Sequence, residues 1–452
     1  MKKISAATAG AAVMALALTA CGSGGDDSTG ESGDQSGAAS STSSPSSEGV
    51  VELTFQTWVP NIDQAVDQFN AAHDNIHVNL ETINAGPDGG YATMFSAVEA
   101  GNAADVAQVG YDWLPDFVRN DSLEDITEYV QPAADVFVQW QLEAMTFNGQ
   151  ILGVPQASSP LGMFYRSDVF EEAGIEKAPE TWDDFYEAAK KIHELGPDYY
   201  IAAYAFNQTP WMIGLAEQAG AEWFSAGEDS WTVDIDGDAT ISVADYWQKL
   251  LDEDLVKPVA DMSNEWFADI QSGKISTWIS GSWADAIIRG NAPDSAGKWS
   301  VAYPPQWKAG EKATGTWGGG SANVVLKGTE HPAEAAEFAL WLNSNPESVS
   351  TLVSVGAGWP AISDISEIAS IQEDPEVFDF YDGQNIWEVF AESDANVSSS
   401  WRWPPMVSTL YSSLTDNVKA AVDGGKPTAD AYKKTQTDMV AAFKEAGISV
   451  AE

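Results

Sequence analysis

The stretch Val51-Glu52-Leu53-Thr54-Phe55-Gln56-Thr57-Trp58 opens the foldable part of the chain, and the rest is read outward from it. Apolar and polar residues alternate through it, and its β-branched and aromatic residues suit a pleated surface, so it predicts a strand. Ile62, Val66 and Phe69 then recur at helical spacing up to about His73, which predicts a helix. Residues 76–83 predict a second strand, 91–100 a second helix, 105–110 a short buried strand and 113–119 another helix. Strands that alternate with helices argue for an α/β fold with parallel strands.

The pattern continues along the chain. Strand-like runs fall at 150–156, 164–165, 199–206, 299–303 and 322–326. Thr181 followed by Asp184 has the spacing of a capping box, ahead of a helix whose apolar stripe is Trp182, Phe185, Ala189 and Ile192. Residues 242–251 predict a helix. Pro332 opens another, carrying Phe338 and Leu342 and stopping near Asn345-Pro346. Residues 406–446 are mostly helical, and no repeat of 20–50 residues is visible, which argues against a solenoid.

The N-terminus speaks to compartment. Lys2 and Lys3 precede an apolar run over 4–18, then Leu18-Thr19-Ala20-Cys21. The run is too short for a stable membrane span. The tetrapeptide resembles a bacterial lipobox, which implies a signal peptide over 1–20 and a lipid on Cys21. Cys21 is the one cysteine of the chain, so an intramolecular disulfide and a thiolate metal cluster are both excluded. A tract of Gly, Ser, Thr, Asp and Glu fills 22–49. It has too little apolar surface to offset its ordering entropy, and reads as a flexible tether.

About 400 residues remain, more than one core usually serves, so two lobes are expected. The 452-residue chain carries 21 Lys+Arg against 68 Asp+Glu, a net charge of -47. Nucleic acid is excluded as a partner, because phosphate binding needs a cationic surface. Anionic lipid headgroups also repel such a domain, which suits a protein held off the membrane by a tether.

Several motifs in fixed order resemble the extracellular sugar-binding proteins of ABC importers (family 1), the group that includes maltose-binding protein. Trp58 ends the first strand, and Asp105-Val106 precedes the third. Gly153-Val154-Pro155 is followed by Phe164-Tyr165-Arg166-Ser167-Asp168, similar to the family's Gly-x-Pro and Tyr-Asn-Lys-Asp steps, although Arg166-Ser167 departs from the latter. Ala173-Gly174-Ile175 and Pro179-Glu180-Thr181-Trp182-Asp183-Asp184 resemble its most recognisable stretch. Gly281-Ser282-Trp283 and the helix from His331 to Phe338 complete the order. The Trp401-Arg402-Trp403 run is not a general family feature.

The resemblance implies a two-lobe, type II periplasmic-binding-protein-like α/β fold, with hinge-connected lobes and a ligand cleft between them. It implies an N-terminal lobe of 50–156 and 306–362, a C-terminal lobe of 157–305 and 363–452, and crossings near 156–162, 303–306 and 360–364. It further implies an oligosaccharide ligand, ABC permease subunits as partners, a monomer, no cofactor and no enzymatic activity.

A pyranose presents apolar C–H faces and a rim of hydroxyls, so its site needs flat aromatic surface and directional polar groups. The chain has 19 Trp and 13 Tyr. Ligands of open α/β sheets sit where strands end, which selects Trp58 and Asn61 after the first strand, Tyr111 and Asp112 after the third, and Gln156 at the first crossing. Asn207 and Trp211 lie in a segment that resembles the maltose-binding loop, with Trp211 as its platform. Trp283 and Trp401 are candidate platforms of the second lobe, with Arg402 beside them. Trp317 with Gly318 offers a ring beside open backbone. Trp182, Trp247 and Trp341 fit helix stripes and are assigned to the core.

Other readings weigh less. Asp234-Ile235-Asp236-Gly237-Asp238 has its glycine at the wrong place for a calcium loop and reads as a turn. No Lys-Ser/Thr follows Gly318-Gly319-Gly320, so it is no phosphate loop. His73, His77, His193 and His331 are scattered, without metal-ligand spacing. A glycoside hydrolase needs two carboxylates about 5–10 Å apart, and no acid sits in a recognisable hydrolase motif. An adhesin would hold long glycans openly.

Overall fold

The computed structural model describes residues 49–451, apart from 228 and 399. The signal peptide, Cys21 and nearly all of the tether lie outside the described residues.

The chain begins with β1 (Val51–Thr57), β2 (Ile76–Thr82) and β3 (Val106–Gly110). A small hairpin follows, β4 (Thr146–Phe147) and β5 (Gln150–Ile151). Next come β6 (Val154–Pro160), β7 (Gly162–Arg166) and β8 (Tyr200–Tyr204). A second hairpin, β9 (Phe224–Ala226) and β10 (Trp231–Val233), leads to β11 (Val256–Pro258), β12 (Ile275–Ser280) and β13 (Trp299–Ala302). Two strands remain, β14 (Thr316–Val325) and β15 (Trp359–Pro360).

These strands form two main sheets. The first runs β15-β6-β14-β3-β1-β2, with β1 parallel to both β2 and β3 and β14 antiparallel to β3 and β6. The second runs β11-β8-β12-β7-β13, with β8 parallel to β11 and β12, and β7 antiparallel to β12 and β13. Helices cover both sheets, so each is the centre of an α/β lobe. One apolar cluster centres on the first sheet, with Phe55, Phe69, Val109 and Phe338 fully buried. The other holds the helices against much of the second, around Trp182, Trp247 and Leu414. Trp341 is half-buried against the first cluster.

The chain passes between the sheets three times. The first passage is one residue, Leu161, between β6 and β7. The second lies between β13 and β14, and it starts later than the sequence suggested. Gln306 still belongs to the second lobe, where its backbone bonds Glu180 and Trp182 in both directions. The third is also delayed. Ala361 and Ser363 remain tied to Val138 and Val136 of the first lobe. The chain grips the second sheet again where Gln384 bonds both the N–H and the C=O of Val301.

Local sequence signals explain much of this. The helix Trp182–His193 begins with a complete capping box. Thr181 Oγ1 accepts from the Asp184 N–H at 3.1 Å, and the Asp184 carboxylate accepts from the Thr181 N–H at 3.2 Å. Asp183 and Asp184 stand in the first turn and Lys190, Lys191 and His193 in the last, in line with the helix dipole. Two strand readings differ from the structure: the run 150–156 is split between β5, in the small hairpin, and β6, in the first sheet, and the run 322–326 is part of a longer strand. β14 starts at Thr316, six residues ahead of 322, and runs through Gly318, Gly319 and Gly320. All three have positive φ, at 66°, 80° and 145°. Glycine carries no β-propensity signal, and the strand is irregular here, with register shifts against β6.

Replacing Thr181 by Ala should lower unfolding stability by about 1 kcal/mol with the fold retained, the usual effect of losing a capping hydroxyl. Denaturant titration of the two proteins by circular dichroism checks this, and equal midpoints would refute it.

Candidate functional site

A cleft of about 570 Å³ lies between the lobes. The first lobe supplies Tyr111, which follows β3, Arg119 at the end of the helix Leu114–Arg119, and Trp140 and Glu143 of the helix Gln139–Ala144. Phe147 of β4 joins them. The second lobe supplies Glu217 at the end of the helix Thr209–Gln218, Trp231 of β10, and Trp401, Arg402 and Trp403. Thr316 and Gly319 of β14 form the floor.

The aromatic walls are held in place by specific contacts. Tyr111 is buried, donates its hydroxyl to Gln141 Oε1 at 3.0 Å, and meets Trp140 edge to face with ring centres 6.2 Å apart. Trp401 packs at 5.7 Å on Trp403 and at 5.9 Å on Trp223, which is fully buried in the second lobe. The walls converge on Gly319. A β-carbon there would lie 3.1 Å from Tyr111 Cβ and 3.3 Å from Trp403 Nε1. Both approaches are tight, and the backbone at φ 80° disfavours a side chain in any case. Gly320 is stricter still, since a β-carbon would fall 2.1 Å from the Ala157 carbonyl oxygen.

Four buried or largely buried carboxylates stitch the lobes together around this floor. Glu217 accepts from the Thr316 N–H at 2.8 Å and from its hydroxyl at 3.0 Å, and burial pushes its carboxyl up to about 8. Asp112 accepts from the Tyr411 hydroxyl, and burial pushes it up to about 7. Asp394 accepts from Ser158 of β6, and burial pushes it up to about 6. Asp116 accepts from the N–H groups of Val407 and Ser408 at 2.9 and 3.1 Å. Those two residues begin the helix Val407–Asp423, which has no side-chain cap of its own at Met406. Asp116 therefore caps, from the first lobe, a helix that packs in the second.

Of the residues singled out in the sequence, Tyr111, Trp401 and Arg402 line the cleft. Gly318 adjoins it, and a β-carbon there would lie 3.0 Å from the Asp112 carboxylate. Asp112 itself is occupied by Tyr411. Trp283 and Trp317 are half-buried and meet each other edge to face at 5.2 Å across the lobes. Gln156 is buried in β6 and donates to Ser321 Oγ at 3.3 Å, while its Oε1 has no partner among the described residues. Trp58 is half-buried against the edge of Tyr91, and Asn61 is exposed in a left-handed turn at φ 56°.

Two expectations need correction. Trp211 is 4% exposed and packs on Trp247 at 4.8 Å and Tyr204 at 5.8 Å, so it is a core ring and not a platform. The segment read as a loop is the start of the helix Thr209–Gln218, which turns Trp211 inward. Asn207 braces that turn by bonding the backbone N–H and C=O of Asp261. The sequence reading also missed Arg119, Trp140, Phe147, Glu217, Trp231 and Trp403. Thr209-Pro210 is a legible helix start, and reading it would have brought Glu217 toward the cleft. Trp140 carries no comparable signal.

The model of the family described as bacterial extracellular solute-binding protein matches residues 56–348. The chain belongs to this family. Among curated relatives of this solute-binding protein is the arabinooligosaccharide-binding protein of Halalkalibacterium halodurans, 24% identical, covering 88% of this chain and 91% of that one. The lactose-binding protein of Rhizobium radiobacter is also 24% identical, with coverage of 82% and 89%. Among solved structures, the galacto-N-biose-/lacto-N-biose I-binding protein of the ABC transporter from Bifidobacterium longum, in complex with lacto-N-biose, has a TM-score of 0.81 and 28% identity, covering 89% of this chain and 99% of that one. The ABC transporter associated binding protein of B. animalis subsp. lactis, in complex with β-1,6-galactobiose, gives 0.79 and 28%, with coverage of 89% and 100%. The solute-binding protein thus has the two-lobe fold of these binding proteins.

Glu217 makes the stability of the solute-binding protein depend on pH. Its folded value near 8 lies above its ordinary value of 4.5, so over that interval the native chain keeps a proton that the unfolded chain has released. Its contribution is fully present below about 4.5 and is lost as pH rises through about 8. Between pH 5 and 8.5, Glu217→Gln should flatten the fall of Tm with pH by roughly 1 °C or more, for a linkage of at least about 1 kcal/mol in a folded part of this size. Scanning calorimetry of both ligand-free proteins reads this directly, and parallel curves would contradict it.

Proposed function

We propose that this protein is the substrate-binding subunit of an ABC importer, and that it holds an oligosaccharide between its lobes and hands it unaltered to a membrane permease. One observation carries this reading: aromatic rings face one cleft from both lobes, Tyr111 and Trp140 on one side and Trp401 and Trp403 on the other. Flat rings suit the C–H faces of pyranoses, while Arg119, Glu143 and Arg402 offer polar groups for hydroxyls. The cleft volume of about 570 Å³ lies within the roughly 300–1,000 Å³ usual for small-molecule sites. The relatives support the same reading, since those named above are called binding proteins for arabinooligosaccharide, lactose and other short sugars. Tyr111, Trp401 and Arg402, chosen from the sequence, are the residues to which this reading gives ligand contact, because all three line the cleft.

In this reading the lobes close on the ligand by a hinge motion, which a ligand drives only by binding the closed form better. The protein acts as a monomer and turns nothing over. Cys21 carries a lipid that holds the domain at the outer face of the cell membrane through the acidic tether over 22–49.

Titration calorimetry against a panel of oligosaccharides tests the ligand. Trp401→Ala and Trp140→Ala should each weaken binding of whichever sugar binds by about fivefold or more, as loss of an aromatic anchor does, and the bound sugar should be recovered uncleaved. Unchanged affinity in both variants, or cleavage of the sugar, would sink the assignment. Independently, Cys21→Ala should move the protein from the membrane fraction to the medium. Retention in the membrane would refute the anchor.

A further inference from the structure

The basic residues of this chain are few and unevenly placed. Seventeen are Lys and four are Arg. Two of the arginines serve the fold. Arg166 is buried and paired with Asp168 at 2.7 Å, and Arg289 is paired with the buried Asp285 at 2.9 Å. The other two, Arg119 and Arg402, line the same cleft from opposite lobes.

Arg119 stands out further. It is the single basic residue of the stretch 51–156, which holds sixteen Asp and Glu. It is exposed, and its guanidinium has no hydrogen-bond or ion-pair partner among the described residues. Glu143 lines the same cleft, yet the two make no ion pair. Its other acidic neighbours in the cleft region are engaged elsewhere. Asp116, three residues away, caps the helix Val407–Asp423. Glu217 accepts two bonds from Thr316 and, with its carboxyl raised by burial, is largely neutral near pH 7. Arg402 donates to the Trp401 carbonyl at 2.8 Å, which holds it beside the ring it follows. A guanidinium is a planar fork that matches a carboxylate with two parallel bonds, a match that the more numerous lysines do not offer.

We propose that the cleft selects oligosaccharides that carry a carboxylate, as uronic acid units do, and that Arg119 is the residue that binds this group. This rests on the sugar-binding reading above and adds the charge of the ligand to it. A neutral sugar leaves Arg119 with hydroxyls only, whereas an acidic one gains a charge-assisted pair that closure of the lobes shields from water. Arg402, on the facing wall, is a second guanidinium that lines the same cleft.

The test uses the purified full chain and matched probes: oligogalacturonides and oligoglucuronides of two and three units, and the same compounds with each carboxyl reduced to the primary alcohol. Calorimetry should show at least one acidic member bound about tenfold or more tightly than its reduced counterpart, in the range expected of a charge-assisted pair. Arg119→Gln should bring that preference below about threefold, while Arg119→Lys should keep part of it. If a reduced or neutral sugar binds as well as its acidic form, the inference is overturned and the sugar-binding reading stands. If the preference survives in Arg119→Gln, Arg119 is not the reader. If acidic, reduced and other neutral oligosaccharides all fail to bind, the sugar-binding reading itself falls.

Discussion

The carboxylate of Asp116 accepts the first backbone N–H groups of the helix Val407–Asp423, and the relation of the two lobes depends on that contact. Helix termini leave N–H groups unsatisfied, and here the missing acceptor comes from the opposite lobe. One turn further on, Tyr411 of the same helix reaches Asp112. Both acids sit on the short helical segments that follow β3, so the end of one strand fixes where the other lobe docks. A cap contributes about 1 kcal/mol, far less than either apolar core. Such a seam defines a geometry without locking it, and water replaces these bonds whenever the lobes part.

The floor of the cleft follows from a second constraint. β6 and β14 are adjacent antiparallel strands, β6 leading into the first passage between the lobes and β14 emerging from the second. Their closest approach, at Gly320 and Ala157, leaves no room for a β-carbon. The strand at this point has given up side chains for proximity, and the space next to it is filled by rings that arrive from elsewhere. Tyr111 and Trp403 meet at Gly319 because nothing projects from the strand between them. The aromatic character of the site therefore comes from the segments flanking the sheets and not from the sheets.

How far the sequence spoke depended on the range of each signal. The side chains of Thr181 and Asp184 bond to each other and to each other's backbone N–H, so their spacing alone revealed the cap. The alternation over 51–58 and the helical stripe after it were equally local, and they yielded the strand and helix that start the first lobe. Motif order supplied the two-lobe arrangement, which no single segment encodes. Trp211 failed because a tryptophan near a strand end looks the same whether a helix turns it inward or a loop holds it out. Asp112 was read as an acid for a ligand, and its engagement by Tyr411, 299 residues away, lay beyond any local pattern. Trp140 and Trp403 become neighbours of the same cleft only once both lobes exist.

The glycines of β14 also limit how such a protein diversifies. At three consecutive positions, all with positive φ, a β-carbon would press on the Asp112 carboxylate at Gly318, on Tyr111 and Trp403 at Gly319, and on the backbone of β6 at Gly320. Drift at these codons is narrowed, whereas Trp140, Arg119, Trp401 and Arg402 stand on helices and connecting chain outside both main sheets. Descendants of one ancestor can then acquire new tastes by exchanging the furniture around an immovable base, and a designer who wishes to retune recognition has the same narrow menu.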